Sequence, residues 1–209
     1  MSDSKKDKNP YKICTWQAES ECAGCALSST LKCRFNWGDL SHFMGIFIMF
    51  AIPSIIGVVL GGWGWYLLGW FAFAMFFFHV WESYILCRHC PYYAEEDKTL
   101  HCIANYGVYK LWQYAPQPMN RSEKTQLFIG FFILFGYPFP FMLISGQYLY
   151  ALVAFWAAVM FFWTLRKDTC SQCVNFSCPL NTVPKERVEA YLELNPVMRD
   201  AWEKDTKKS

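Results

Sequence analysis

Residues 43–78 read FMGIFIMFAIPSIIGVVLGGWGWYLLGWFAFAMFFF, with no Asp, Glu, Lys, Arg or His among them. A helix that crosses a bilayer needs roughly 20 apolar residues, so this stretch is about two spans long. Gly61-Gly62-Trp63-Gly64 sits near its middle. Glycine takes positive φ without steric cost and closes a short connection there. Thr125 to Leu165 is a second uncharged run, interrupted at Ser145-Gly146-Gln147. Together the two runs predict four transmembrane helices near 43–60, 65–85, 127–144 and 148–165. The fold class expected is an all-α integral membrane protein of two helical hairpins.

The composition of the 209-residue chain agrees. Charged residues make up 17%, against about 25% in an average soluble domain. A net charge of +2 without a basic block excludes nucleic-acid binding on charge grounds, and 20% aromatic content excludes disorder over most of the chain. No Walker loop, His-Glu-x-x-His helix or Gly-x-Ser-x-Gly elbow occurs, so nothing points to hydrolase or nucleotide chemistry.

Five segments follow: 1–42, the hairpin 43–85, 86–126, the hairpin 127–165, and 166–209. All 19 Lys and Arg lie in the first, third and fifth, and neither hairpin turn carries any. The positive-inside rule places those three segments and both termini in the cytoplasm, with the hairpins in an inner or plasma membrane. Residues 1–42 are too polar and too long for the n-region of a signal peptide, so the chain is expected to insert by its own helices. Trp37, Trp81, Tyr84 and Trp163 fall at the inner interface; Trp63, Trp65, Tyr148 and Tyr150 fall at the outer one.

The hairpins read as copies. Pro53 precedes Gly61 by eight residues and Pro138 precedes Gly146 by eight, each hairpin carries a Phe-Phe pair in its second helix, and each ends in a Cys-x-x-Cys pair. Parallel repeats pack about an axis along the membrane normal. That symmetry brings Cys87, Cys90, Cys170 and Cys173 together beneath the bundle. Both prolines are expected to kink their helices.

Every cysteine lies in a polar segment: Cys14, Cys22, Cys25 and Cys33; Cys87, Cys90 and Cys102; Cys170, Cys173 and Cys178. Each segment holds a Cys-x-x-Cys pair and a further cysteine 5 to 12 residues on. A two-residue spacer lets both thiolates face one coordination sphere. Disulfides require an oxidising compartment, which the orientation denies. Dithiol redox chemistry needs one pair and leaves the third cysteine without a role. Metal binding uses them all. Tetrahedral zinc sites take such pairs and staple small segments. Iron–sulfur clusters take four thiolates, and the bacterial ferredoxin run ends in Cys-Pro, as do Cys90-Pro91 and Cys178-Pro179. Ten cysteines supply two 4Fe-4S clusters with two thiols over. The N-terminal triad would take its fourth ligand from Cys14 or Cys102.

This layout resembles that of membrane-bound ferredoxin-type proteins, which carry cytoplasmic cysteine clusters on four spans and exchange electrons with quinols. The resemblance does not extend to their compact motif. Palmitoyltransferases also hold a cysteine-rich domain between spans, but their Asp-His-His-Cys motif is absent, because His101-Cys102 follows Thr99-Leu100.

His79 lies just inside the membrane with Glu82 three residues on, a helical spacing that shares one face. Such a pair at membrane depth can relay protons to a bound quinone, or His79 can simply bond a backbone carbonyl. His89 and His101 lie among the central cysteines and offer further ligands. Residues 180–209 read as two short helices, capped at Asn181 or Thr182 and at Asn195, whose Val188, Tyr191, Leu192, Met198 and Trp202 form docking stripes. The function expected is electron transfer as the membrane subunit of a larger quinone-linked redox system, with a cytoplasmic redox partner. The alternative is a zinc-stabilised scaffold or assembly factor.

Overall fold

The structure, a computed structural model, describes residues 9–18 and 22–206. The outermost parts of the two terminal segments therefore lie outside the described residues. The chain is mostly helical, and four helices are long and apolar enough to cross a membrane: Trp37–Leu60, Gly64–His89, Arg121–Ile144 and Tyr148–Thr169.

All four spans start or end beyond the uncharged runs, and capping explains the early starts of the first and third. Helix α1 (Trp37–Leu60) is capped by Asn36, whose side chain accepts the Gly38 N–H at 2.6 Å. Helix α4 (Arg121–Gly136) starts in a capping box in which Asn120 accepts from Glu123 N–H at 2.9 Å and Glu123 accepts from Asn120 N–H at 2.8 Å. Caps satisfy the orphan donors of a first turn, so helix begins among polar residues that apolar run length alone excludes.

The second span contains α2 (Leu67–Phe76), a π turn at Phe77–Trp81 and α3 (Glu82–Ile85). The third continues from α4 into α5 (Pro138–Ile144), and the fourth is α6 (Tyr148–Thr164) followed by a second π turn at Leu165–Thr169. Helix α1 runs on through Pro53, whereas the third span is interrupted at Pro138. One missing donor is tolerated in α1, while Pro138 and Pro140 remove two donors within a single turn. Both hairpin turns use the same cap. Gly62 (φ +83°) and Gly146 (φ +74°) take the left-handed conformation. Trp63 N–H then bonds Val58 O as Gln147 N–H bonds Met142 O, in matching Schellman motifs.

Phe50, Trp70, Phe77, Leu127, Leu134, Met142 and Phe161 form the core between the spans. Helix α1 packs chiefly on α6, and Gly130 lets α4 close on the Phe77 ring, which a Cβ would strike. Outward faces carry Met49, Phe132, Leu149 and Trp163, all more than two-thirds exposed. Such a surface suits contact with a lipid bilayer.

A second core lies beyond the helix ends, built from the polar segments around Ile13, Leu31, Tyr92, Leu100, Val174, Tyr191 and Met198. The all-helical expectation fails here. Strands β1 (Thr99–His101) and β2 (Tyr106–Tyr109) form an antiparallel hairpin with Leu100 opposite Val108 and a bulge after Leu100. Its signal was the short alternation in Tyr106-Gly107-Val108-Tyr109, too brief to stand out beside the transmembrane runs. Helices α7 (Lys185–Glu193) and α8 (Pro196–Thr206) dock on this second core through Tyr191 and Met198, and Trp202 donates to Pro116 O at 3.1 Å.

Candidate metal centre

The ten cysteines separate into two groups. Cys14 lies in a 3₁₀ turn (Cys14–Trp16), Cys25 N–H closes on Cys22 O at 3.1 Å, and Cys33 follows the buried Leu31. Burial raises the Cys14 thiol and pushes Cys33 up to about 12, and the neighbouring thiols of this same group add to both shifts. Cys14 therefore lies close to the N-terminal triad.

Asn195 holds Cys14 in place. It is fully buried, and its Oδ1 accepts the Cys14 N–H at 2.7 Å. Its Nδ2 donates to Tyr191 O at 2.7 Å and to Cys14 Sγ at 3.2 Å. A backbone donor on one side and a backbone acceptor on the other fix the amide orientation, so an N–H must face the sulfur. The side chain expected to cap α8 thus serves the thiol instead, while the Asn195 carbonyl accepts from Met198 and Arg199. Beside it, Thr15 and Tyr191 hydroxyls bond at 2.7 Å. Arg34 Nη2 donates to Gln17 O at 2.6 Å and to Cys22 Sγ at 3.3 Å. Its buried Nε has no partner among the described residues. An orphaned guanidinium nitrogen beside four thiols suits an anionic occupant.

The other six thiols, Cys87, Cys90, Cys102, Cys170, Cys173 and Cys178, line one cavity of about 120 Å³ at the end of the bundle away from the hairpin turns. Phe43, Phe78, Phe131 and Phe161 close its membrane side, and Glu82 is its one carboxyl. Cys87 opens the 3₁₀ turn (Cys87–His89) that closes the second span, and Cys170 follows the π turn of the fourth. Pro91 fixes the exit of the chain from Cys90, and Cys102 sits at the turn of the β hairpin. Burial is the chief cause that raises Cys90 well above the ordinary thiol value, Cys102 to about 11, and Cys170, Cys173 and Cys178 to about 12. Neutral, buried thiols must release protons as they take a metal.

The two groups are neighbours. Lys32, next to Cys33, pairs with Cys173 in a parallel bridge through a 2.8 Å bond from Lys32 N–H to Gln172 O. Buried Tyr92 spans the same gap: its hydroxyl donates to Lys32 O at 2.7 Å. Burial raises that hydroxyl's pKa, with thiols of both groups adding to the effect.

Histidines play other parts. His79 Nδ1 bonds Met75 O at 3.0 Å, while Glu82 opens onto the thiol cavity. The π turn between them is wider than an α turn, so the three-residue spacing no longer puts both on one face. His89 is buried, with Nδ1 bonded to Gln117 O at 2.7 Å and Nε2 at 3.3 Å from Glu123 Oε1. Both nitrogens are occupied, so it offers no ligand. His101 faces Glu95 and Asp97.

Zinc and iron–sulfur sites space their thiolates differently. Four thiolates on one tetrahedral zinc ion stand about 3.8 Å apart, given Zn–S bonds of about 2.3 Å. Among the described residues, the one set of three or more ligand-type atoms within 4.8 Å of one another is Glu95, Asp97 and His101. No three thiols are that close. A multi-iron cluster gives each thiolate its own iron and needs them farther apart. No known protein family, characterised protein or solved structure matches this chain.

Proposed function

We propose that the protein is a membrane-integral electron-transfer protein holding two iron–sulfur clusters, in the service of a quinone-linked redox system. The observation that carries this reading is the pair of adjoining thiol groups, one of four and one of six, gathered from segments far apart in the sequence. Cys14, Cys22, Cys25 and Cys33 would hold one cluster and four of the cavity thiols the other. Bound there, the clusters supply one-electron transfer. The protein's own residues contribute burial, donors to sulfur, and a short link between the groups through Lys32, Cys173 and Tyr92. A quinone-linked role fits a centre seated at the membrane face, and Glu82 rather than a His79–Glu82 pair is the proton-carrying side chain at that cavity.

Matching Schellman caps in both hairpin turns, and a π turn in the second span of each, support descent from a duplicated hairpin. The Lys and Arg distribution supports a cytoplasmic location for the thiol segments and a cytoplasmic redox partner. Reporter fusions at Gly62 and Gln147 should read as exported and a fusion at Glu96 as cytoplasmic; an exported signal at Glu96 reverses the orientation and returns the cysteines to a disulfide-forming compartment.

Anaerobic purification with metal and sulfide analysis tests the function. The expected product is brown, bleaches with dithionite, and contains iron with acid-labile sulfide. A colourless, redox-silent protein with stoichiometric zinc overturns the electron-transfer reading in favour of a scaffold or assembly factor.

A further inference from the structure

We infer that the N-terminal thiol group holds the centre of higher reduction potential, and that Arg34 and Asn195 are the residues that set it. The inference rests on the iron–sulfur reading above. Four thiolates around a cluster form an anion that becomes more negative on reduction. Its potential therefore follows net charge, hydrogen bonds to sulfur and solvent exposure.

All three differ between the groups. Arg34, a permanent cation, donates to Cys22 Sγ at 3.3 Å, and no carboxylate pairs with it among the described residues. Asn195 donates to Cys14 Sγ at 3.2 Å in an orientation its backbone partners enforce. The four N-terminal cysteines are each partly exposed, so water also helps to carry the added charge.

At the membrane face, Cys87, Cys90, Cys102 and Cys170 are buried against phenylalanine rings. Neutral backbone amides approach Cys90, Cys102, Cys173 and Cys178, among them Asn175 N–H, which donates to Cys173 Sγ at 3.4 Å. Those amides offset part of the burial penalty. A charge-assisted donor is roughly twice as strong as a neutral one. Lys32 and Arg166 lie near Cys173 and Cys170, but Lys32 is paired with Asp39 and neither side chain hydrogen-bonds a sulfur. Cation, side-chain amide and water thus favour the reduced state at the N-terminal group, and burial disfavours it at the membrane face. The first electron placed on the protein rests on the side away from the bilayer core.

An EPR-monitored redox titration of the full-length protein, purified anaerobically in detergent, tests this. Two waves are expected, the higher lost in Cys25→Ser and the lower lost in Cys90→Ser. Arg34→Gln should move the higher wave to lower potential and leave the other in place, while Arg34→Lys, which keeps the charge, should restore most of the shift. If Arg34→Gln does not assemble the N-terminal centre, Asn195→Ser removes the amide donor alone and should lower the same wave. The inference is overturned if Cys25→Ser removes the lower wave, if these variants leave both waves unmoved with both centres present, or if Arg34→Lys shifts as far as Arg34→Gln. Zinc in place of iron overturns the underlying reading as well, and metal analysis distinguishes that failure from the others.

Discussion

Replacing Cys87 or Cys170 by serine is expected to abolish the same metal centre, with the double variant no worse than either single. The two residues are more than 80 positions apart in sequence, yet both line the cavity below the helix ends. A thiolate site stabilises by joining segments that the chain alone leaves separate. Loss of either thiol unties both hairpins at once, and the second substitution then has nothing left to remove. Cys102 and Cys178 are poor replacements, because each is held in its own turn: Cys102 N–H bonds Asn105 O at 2.8 Å and Cys178 N–H bonds Asn175 O at 3.3 Å. Each single variant should retain only the N-terminal centre and show a similar fall in thermal stability. Coupling between residues sharing one site is about 0.5–3 kcal/mol, large enough to separate from additivity in a double-mutant cycle. Additive losses of metal and stability would mean that each Cys-x-x-Cys pair holds its own ion.

The spans were legible because lipid imposes one strong rule, a run of apolar residues long enough to cross, and the chain obeys it twice over. Gly62 and Gly146 were legible for a related reason, since a tight hairpin turn at an apolar helix end demands a left-handed residue. The cysteine spacing pointed to metal because geometry within four residues is local. What joins distant segments was not local, and so stayed hidden. Nothing in Asn195-Pro196 distinguishes a helix cap from a side chain reaching back to Cys14, because both roles need the same short amide before the same proline. Arg34 lies directly beside Cys33 in sequence but serves Cys22. The π turn at Phe77–Trp81 left no mark that apolar periodicity could reveal, and its wider turn takes His79 and Glu82 out of the three-residue register of an α-helix.

Glu123→Leu is expected to be the most damaging substitution outside the cysteines. The Glu123 side chain is 6% exposed and accepts from Arg88 Nη2 at 2.7 Å, with His89 Nε2 at 3.3 Å on the same oxygen. Its other oxygen accepts the Asn120 N–H at 2.8 Å and completes the cap of α4. Arg88 and His89 are the two residues between Cys87 and Cys90, so this one carboxylate fixes the turn that presents both thiols. Nδ1 of His89 faces the carbonyls of Ala115 and Gln117, at 3.1 and 2.7 Å, and must carry a proton. Removing the carboxylate leaves the partly buried Arg88 guanidinium without its anionic partner and the Asn120 N–H without its acceptor, and a polar group left unpaired in this way costs about 1–3 kcal/mol. Leucine fills similar space but accepts nothing from the helix cap. Glu123→Gln keeps one acceptor oxygen, enough for Arg88 or for the cap but not for both, and should lose less than Glu123→Leu. Denaturant unfolding of both variants gives the stability order, and metal analysis should show the membrane-face centre depleted in Glu123→Leu while the Cys25-dependent signal persists. A Glu123→Leu protein with full metal content and unchanged stability would mean that the Cys87–Cys90 turn holds its shape through its own 2.9 Å backbone bond, and that the carboxylate is dispensable to the site.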